Sequence, residues 1–540
     1  MNVLLVYPEF PLSYWGGQYA LRLVGKRAAS PPLGLITVAA MLPPQLNLRL
    51  VDMNVEPLRD EQIRWADLVM LSAMLIQRPG LVEVAARCRR LGRRTVAGGP
   101  YPSSCPDQLA HIDHLVLGEA ESSLPPFLAD LSRGWSHCQR VYVAAQRPDV
   151  TLSPVPRYDL LRSDAYASMA MQFSRGCPFN CEFCDIIELY GRRPRTKTPA
   201  QMVDELDALH ATGFRGLLFL VDDNFVGNRK KARDLLPGIA AWQREHGTPF
   251  DLYTEASVDL AREARLMELM VAAGFSMVFV GIETPSRESL EEAQKYQNLR
   301  MDLIEAVKRI IASGLEVAGG FIVGFDRDDE TIFDQQIAFV EAALIRAAMV
   351  GILNVPPNTQ LERRLRREGR MLGLSDGDAV GIELTNFRTK MDPELLRRGY
   401  ARILSSLYQP GRYFERCLQL LDALGPRRAS QFRRRLDRTV LRALLASLYV
   451  QGIRSGYRRD YWRFMARIAL SRPSRLGDAF SYAVNGHHFF TFTEKHILPR
   501  LMRSTAARPG PSSMSVTSGF GEVPRATRPV LRVVDDPAGQ

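Results

Sequence analysis

The sequence predicts an α/β protein in three parts: a Rossmann-like domain, a partial (β/α)6 TIM barrel and a helical C-terminal domain. Three observations predict it. Short apolar runs of strand length alternate with helical stretches through the first 360 residues, the pattern of parallel sheets covered by helices. A proline-bearing polar stretch divides that alternation in two, and after residue 360 helical periodicity takes over. The 540 residues are 46% hydrophobic and 24% charged, an ordinary multidomain globular composition that excludes wholesale disorder, collagen and a membrane bundle.

In residues 1–150 the buried-strand runs are Val3–Tyr7, Leu48–Asp52, Asp67–Ala73, Arg94–Gly99 and His114–Glu119, with helical stretches such as Leu81–Leu91 between them. Ligands of such sheets bind beyond the carboxyl ends of the strands. There the chain carries Ser72, Gly98-Gly99-Pro100 and Gly118-Glu119-Ala120-Glu121. Glycines there let the backbone approach a flat or phosphorylated ligand, or simply make tight turns. Residues 151–165, with two prolines, read as a linker. A second series, residues 166–360, has strand runs Ser168–Phe173, Gly216–Asp223, Phe250–Ala256, Met277–Glu283, Val317–Phe325 and Ala348–Val355. Pro199–Thr212, Ala261–Ala273 and Met301–Ser313 read as intervening helices. Six βα units in series predict a barrel or partial barrel with its chemistry on the loops after the strands.

The loop after the first of these strands holds Cys177, Cys181 and Cys184, three of the seven cysteines within eight residues. Seven cysteines are too few for a disulfide scaffold, and thiolates this close in a reducing compartment are metal ligands far more often than disulfides. Zinc asks for four protein ligands. The next candidate, His210, sits on a predicted helix. A four-iron cubane takes one thiolate per iron, so three cysteines leave one iron open. An iron–sulfur cluster, a zinc site and a chance cluster all stand at this point.

CxxxCxxC with an aromatic before its last cysteine resembles the radical S-adenosylmethionine (SAM) superfamily. The resemblance implies a [4Fe-4S] cluster on Cys177, Cys181 and Cys184, with SAM chelating the open iron and Phe183 near the adenine. Gly320, Ile322 and Gly324 fit the superfamily's GxIxG pattern on the fifth strand. Where it usually has Gly-Gly-Glu, this chain has Val221-Asp222-Asp223-Asn224, so Asp223 or Asn224 becomes the expected acceptor for the SAM amino group. Glu255 and Glu283 end strands on the same face and are expected to hydrogen-bond the ribose or the methionine ammonium. Each of these acids taken alone also reads as a solvated loop carboxylate. Tyr190 is a candidate proton or radical contact, or a packing residue.

A Rossmann-like domain directly before such a barrel resembles the cobalamin-binding class of radical SAM enzymes. That implies corrin contacts from Leu33, Gly34, Ser72, Gly98, Gly99, Pro100, Gly118, Glu119 and Glu121. The Asp-x-His-x-x-Gly cobalt-ligating motif is absent, because Asp52-Met53-Asn54 has no histidine, so the implied cobalamin is base-off. Cys88, Cys105 and Cys138 read as ordinary thiols, since their spacing does not match a second cluster. More narrowly, Val6-Tyr7-Pro8-Glu9-Phe10, Pro31-Pro32-Leu33-Gly34-Leu35, Phe183–Glu188, Val221–Phe225 and Asn354–Thr359 resemble the hopanoid C-2 methylase group. The implied activity is methylation of an unactivated sp3 carbon of a hopanoid or similar lipid. A 5′-deoxyadenosyl radical would abstract hydrogen, methylcobalamin would donate the methyl group, and a flavodoxin or ferredoxin would supply electrons. Cyclisation or rearrangement of another natural product, or a non-enzymatic iron–sulfur or cobalamin sensor, are the alternatives.

Beyond residue 360, Leu361–Met371, Asp392–Leu407, Tyr413–Leu424, Ala429–Tyr449 and Tyr461–Leu470 read as helices within a C-terminal domain, 361–503, and 504–540 as a disordered tail. The chain's formal net charge is +11, and it is uneven. Residues 426–503 hold 16 Arg and one Lys against three Asp and one Glu, a net +13, whereas residues 1–425 carry −3. Phe432, Tyr449, Tyr457, Tyr461, Trp462, Phe464, Phe480 and Tyr482 interleave with the basic residues. That pattern suits peripheral contact with an anionic membrane face. Its alternative is a solvated basic face packed on the barrel by its aromatics. Without a recognisable nucleic-acid module, no nucleic-acid partner is expected. Met1–Phe10 lacks a secretory leader, and no stretch reaches transmembrane length, so the expected location is the cytoplasm, peripheral to the inner face of the cell membrane.

Overall fold

The computed structural model describes residues 1–14, 16–377, 385–425 and 438–503. Its first sheet contains β1 (Asn2–Tyr7), β2 (Asn47–Asp52), β3 (Leu68–Ser72), β4 (Arg94–Gly98), β5 (His114–Leu117) and β6 (Val141–Val143). All pair in parallel, in the order β2-β1-β3-β4-β5-β6. This is the doubly wound order in which the chain reverses direction between β1 and β3. β1 is buried along its length because helices cover both faces, which is why it reads as an unbroken apolar run. β6 was not legible: it is three residues at a sheet edge, with Val141 and Val143 exposed.

The second sheet holds β7 (Ser168–Met171), β10 (Gly216–Leu220), β11 (Phe250–Ala256), β12 (Phe275–Glu283), β13 (Glu316–Val323) and β14 (Ala348–Ile352). A two-residue antiparallel pair, β8 (Ser174–Arg175) and β9 (Arg195–Thr196), is inserted after β7. The large strands pair in parallel, in the sequential order β7-β10-β11-β12-β13-β14, and β7 and β14 do not pair with each other. The result is a half-barrel with two edges. Every expected strand core is present, but several runs end earlier than their apolar pattern, because Asp222, Phe325 and Val355 belong to the loops that build the site.

Residues 151–165, expected as a linker, form an ordered strap. They make three single 3-10 turns, and Tyr158 is buried among them. Its hydroxyl donates to the Ala170 carbonyl at 3.0 Å, and Arg157 N–H donates to Ile36 O at 3.1 Å. Just beyond the strap, the buried Tyr166 donates its O–H to Asp52 at 2.9 Å. Composition marks this segment as polar, but the tyrosines are what lock the two sheets together.

The C-terminal helices share the barrel's apolar core. The helix Pro393–Leu407 lies along the β14 edge, where Tyr400 donates to Val350 O at 3.0 Å and Tyr408, just past its end, to Ala348 O. Capping an open edge removes a site of unwanted strand pairing. Buried Arg346 donates through Nε and Nη2 to one oxygen of Glu316, Oε1, and Tyr482 donates to the other, Oε2, at 2.8 Å. The helix Leu476–Phe492, absent from the sequence reading, is buried on most sides by Ala479, Tyr482, Ala483, Phe489 and Phe490. It therefore lacks the one-sided apolar period that marks a surface helix.

The expected helix Ala429–Tyr449 is described from Arg438, running to Ser447 and continuing as a π-helix to Arg454. Its start, Phe432 and the expected tail 504–540 lie outside the described residues. The basic region's aromatics divide into two sets. Tyr461, Phe464 and Tyr482 are buried, whereas Tyr449 and Trp462 are about half exposed. No helix among the described residues is long and apolar enough to cross a membrane.

Candidate active site at the carboxyl ends of the barrel strands

The cysteine loop leaves β8 through Gly176, whose φ of 94° places it in the left-handed region. A Cβ there would lie 2.8 Å from Gly191 O, so only glycine fits before Cys177. The loop is held from two directions. Cys177 N–H donates to Gly191 O at 3.1 Å and Glu182 N–H to Ala293 O at 3.0 Å, while Glu182 O accepts from Leu361 N–H at 2.9 Å. The Glu182 carboxylate takes a two-pronged contact from Arg364 at 2.6 and 3.1 Å.

Burial, then Asp185, then the neighbouring Cys181 and Cys177 push the Cys184 thiol up, so the three thiols lie within electrostatic reach of one another. Burial likewise raises Cys177. The sulfurs face donors. Asn224 Nδ2 lies 3.8 Å from Cys177 Sγ and Gln297 Nε2 3.5 Å from Cys181 Sγ. Lys295 Nζ sits 5.7 Å over the Phe183 ring and 2.5 Å from Glu283 Oε1. Burial works against the Lys295 charge, but Glu283, Cys181 and Cys184 outweigh it and keep it an ammonium ion. Amide donors and a buried cation around three sulfurs suit an anionic cluster. Among the described residues no three Cys, His, Asp or Glu converge on a single-ion site. A cubane requires no such convergence, because its thiolates bind different irons.

The acids after the strands are not equivalent. Asp222, raised by burial to about 7, accepts from the Phe173 and Ser174 N–H groups and holds the entry to the cysteine loop. Asp223, raised by burial to about 6, accepts from Gly176 N–H at 3.0 Å. Asn224 is tied to Ser257 through both ends of its amide. Glu283 has φ 65° and is committed to Lys295. Glu255, on the less buried face of β11, is raised to about 8 by burial and then by Asp223, Asp222 and Glu283, so it is protonated at neutral pH. Its folded proton affinity exceeds its unfolded one, so the native state loses stability as pH rises from the ordinary carboxylate range through about 8. The expected result is that Glu255→Gln melts like wild type below pH 4 and above it in temperature at pH 9, measured on cofactor-free protein. An unchanged difference across that range contradicts the assignment.

Gly320 and Ile322 line a cavity of about 230 Å³, with Phe279, Gly281, Glu283, Met349 and Gly351 on the same wall. Tyr14 and Leu404 close its side at the β14 edge. Gly324, at φ 100°, donates its N–H to Asp328 Oδ2 at 2.8 Å. Tyr190 ends the short helix after the cysteine loop, and burial and then Asp223 raise its phenol, so it keeps its proton.

At the first sheet's carboxyl edge, Gly99 has φ 91°, and a Cβ there would lie 2.6 Å from Ser72 Oγ. A Cβ on Gly34 or Gly118 would meet nothing within 4 Å, and both glycines are exposed. Leu33 and Pro100 begin helices beside them. This small-residue rim, open above, can receive a broad flat ligand. Glu119 and Glu121 differ from the rest: their buried carboxylates bind Arg175 and Arg195 of the β8–β9 pair at 2.7–3.0 Å. Asp52 is occupied by Asn54 and Tyr166. Cys88 and Cys105 are buried and Cys138 half-buried, with burial raising all three thiols. His210 packs against Trp242 and His246, away from the cysteines.

The sequence reading missed Lys295, Gln297, Arg175, Arg364 and Tyr14. Lys295 and Gln297 lie in a polar stretch, Glu291–Arg300, that carries no motif, and only the fold brings it under the cysteine loop.

Comparison with known proteins agrees with this geometry. A profile of the B12 binding domain matches residues 27–128, one of the Radical SAM superfamily 171–335, and a domain of unknown function, DUF4070, 359–498. An uncharacterised methyltransferase of Synechocystis sp. is 41% identical over 92% of each chain. The hopanoid C-2 methylase of Rhodopseudomonas palustris is 34% identical over 86% of this chain and 89% of its own. The cobalamin-dependent S-adenosylmethionine radical enzyme OxsB shares the fold, with TM-score 0.58 at 15% identity over 94% of this chain and 81% of that one. With two sheet domains and a cysteine loop of the right form, and relatives this similar over nearly their whole length, the chain belongs to the B12-binding radical SAM methyltransferase family.

Proposed function

We propose that this protein methylates an unactivated sp3 carbon of a polycyclic, hopanoid-like lipid. The observation that carries the reading is the cavity beside the cysteine loop: Phe279, Phe321, Met349, Val350 and Leu404 make an apolar wall that continues from Gly320, Ile322 and Glu283, the part assigned below to SAM. Glu283 reaches through Lys295 to Phe183, which puts the cavity beside the cysteine loop. The relatedness to a hopanoid C-2 methylase supports the substrate class.

In this reading Cys177, Cys181 and Cys184 hold three irons of a [4Fe-4S] cluster, with Asn224, Gln297 and Lys295 stabilising charge on the sulfurs. Phe183, Gly320, Ile322 and Gly324 make the adenine surface of SAM. Glu255, neutral in its setting, and Asp223, Asn224 and Glu283 give its polar contacts. Leu33, Gly34, Ser72, Gly98-Gly99-Pro100 and Gly118 would hold the corrin of a base-off cobalamin, and Glu119 and Glu121 would offer it backbone only. When bound, these groups supply hydrogen abstraction and a transferable methyl group, and the protein orients the substrate carbon and excludes water. A flavodoxin or ferredoxin supplies the electrons. Tyr190, a protonated phenol between the cysteine loop and the corrin rim, is the proton-bearing group at that junction.

Reconstituted enzyme given methyl-deuterated SAM and a hopanoid is expected to release product heavier by the labelled methyl group. Unlabelled cyclised product, or SAM left intact, overturns the reading.

The same reading places the enzyme at a lipid surface. Leu441, Leu445, Tyr449 and Ile453 recur every four residues along one helix and are more than half exposed. On the next helix, Trp462 and Leu470 are exposed beside the arginine row Arg459, Arg463 and Arg467. Trp462 joins the two by donating to Gly452 O at 2.9 Å. Apolar and basic rows side by side suit an anionic bilayer. Flotation is expected with vesicles containing phosphatidylglycerol and not with pure phosphatidylcholine, and the triple Arg459→Glu, Arg463→Glu, Arg467→Glu variant is expected to lose it. Equal behaviour of both vesicle types contradicts the assignment.

A further inference from the structure

Arg175 lies two residues before Cys177, on β8, and its side chain leaves the barrel for the first sheet domain. Nη1 lies 2.9 Å from both Glu119 Oε2 and Glu121 Oε2, and Nη2 lies 2.7 Å from Glu121 Oε1 and 3.3 Å from Ser153 Oγ. Nε is used by Gln172 at 2.7 Å. Its register partner on β9, Arg195, binds both oxygens of Glu119 at 3.0 and 2.7 Å, and also Pro148 O and Tyr190 O. The acids are almost fully buried, with side-chain exposures of 3% and 2%. Burial pushes Glu121 up, but Arg175 outweighs it and holds the carboxyl near 2.

We infer that this buried square of two arginines and two glutamates is a positioning device: it sets the distance between the corrin rim and the cysteine loop. The inference rests on the assignment of those two loops to cobalamin and to the cluster. The physical reason lies in the kind of bond. Apolar contact between domains tolerates sliding, whereas planar guanidinium–carboxylate forks have one good geometry. Buried pairs of this kind are better at fixing register than at adding stability. Both ends of the square are short in sequence from their cofactor loops: Glu119 follows Gly118 directly, and Arg175 is separated from Cys177 by Gly176 alone. A displacement on one side is therefore passed to the other. Methyl transfer to a substrate radical competes with quenching of that radical, so a loosened register should separate SAM cleavage from methylation.

The test uses Arg175→Lys and Arg195→Lys, which keep the charge and lose the fork. On cofactor-free protein, hydrogen exchange is expected to speed up together in residues 118–121 and 174–177 in either variant. On reconstituted protein with wild-type iron and cobalamin content, the ratio of 5′-deoxyadenosine to methylated product is expected to rise about tenfold or more, the scale of ångström misplacement. A wild-type ratio in either folded, loaded variant overturns the inference. So does loss of iron or cobalamin in both variants, which would make the arginines cofactor-holding rather than positioning. Wild-type protein that takes up neither group overturns the loop assignment, and this inference with it.

Discussion

A Cys181→Ala variant, assembled anaerobically with iron and sulfide, is expected to lose its four-iron cluster and to methylate roughly a thousandfold or more slowly, since the cofactor supplies the radical chemistry outright. Cys181 is the most buried of the three cysteines and takes a donor from Gln297 at 3.5 Å. Its neighbours Glu182 and Cys184 are pinned by backbone bonds to Ala293 and to Cys181 itself. The nearby Asp222, Asp223, Asn224 and Glu283 side chains are each held by other partners, so none of these four is placed to replace the sulfur. Iron analysis and the visible absorption of the cluster read the result, and retention of four irons per chain would sink the ligand assignment. Gln297→Leu keeps all three thiols and should weaken cluster retention by about 10–100-fold, the usual cost of losing an outer partner of a metal ligand.

The second large effect is expected at Gly281. A side chain there would place Cβ 2.3 Å from Glu283 Oε1 and 2.7 Å from Lys295 Nζ. Both atoms belong to a buried ion pair whose cation lies on the Phe183 ring. Gly281→Val must therefore displace the tips of both side chains, and parting the buried pair costs about 3–5 kcal/mol. The same substitution fills the cavity wall between Phe279 and Gly320. SAM binding, measured calorimetrically on protein with its cluster in place, is expected to fall by about a hundredfold or more, the equivalent of roughly 3 kcal/mol. A Gly238→Ala control sits on a helix where a Cβ meets nothing within 4 Å, so it should be neutral or stabilising by up to about 1 kcal/mol. Near-wild-type stability and SAM affinity for Gly281→Val would show that the Lys295–Glu283 pair is not needed at the site.

These two cases show what kinds of residue a sequence reveals. Cys177, Cys181 and Cys184 were legible because all three stand in one loop at a spacing with few meanings. Strands such as Val3–Tyr7 were legible because burial on both faces of a parallel sheet makes an apolar run, whereas Phe250–Ala256 alternates, its Asp251, Tyr253 and Glu255 lying on a less buried face. Lys295 was not legible, because its importance comes from the turn that brings Glu291–Arg300 beneath a loop more than a hundred residues earlier. Asp222 and Glu283 were legible as acids but not as to role. Which carboxylate holds backbone and which pairs with a cation depends on ångström distances that strand periodicity does not encode. Glu119 and Glu121 were read as part of the corrin rim, and the fold turns their side chains to the barrel instead. The C-terminal aromatics read as one basic, aromatic surface, and folding sorted them into a buried set and an exposed set.

By itself the sequence determined the two parallel sheets, the cysteine loop, the glycine-rich rim and the concentration of positive charge after residue 426. All of these are local: a period, a spacing, or a turn that only glycine can make. Tertiary structure alone decided that the half-barrel's open edge is capped by Tyr400 and Tyr408, that Tyr14 reaches across to close the cavity, and that Arg175 and Arg195 clasp the first domain. The physical reason is that a buried charge or a shared cavity is satisfied by partners from distant parts of the chain, and those partners become neighbours only when the sheets have packed.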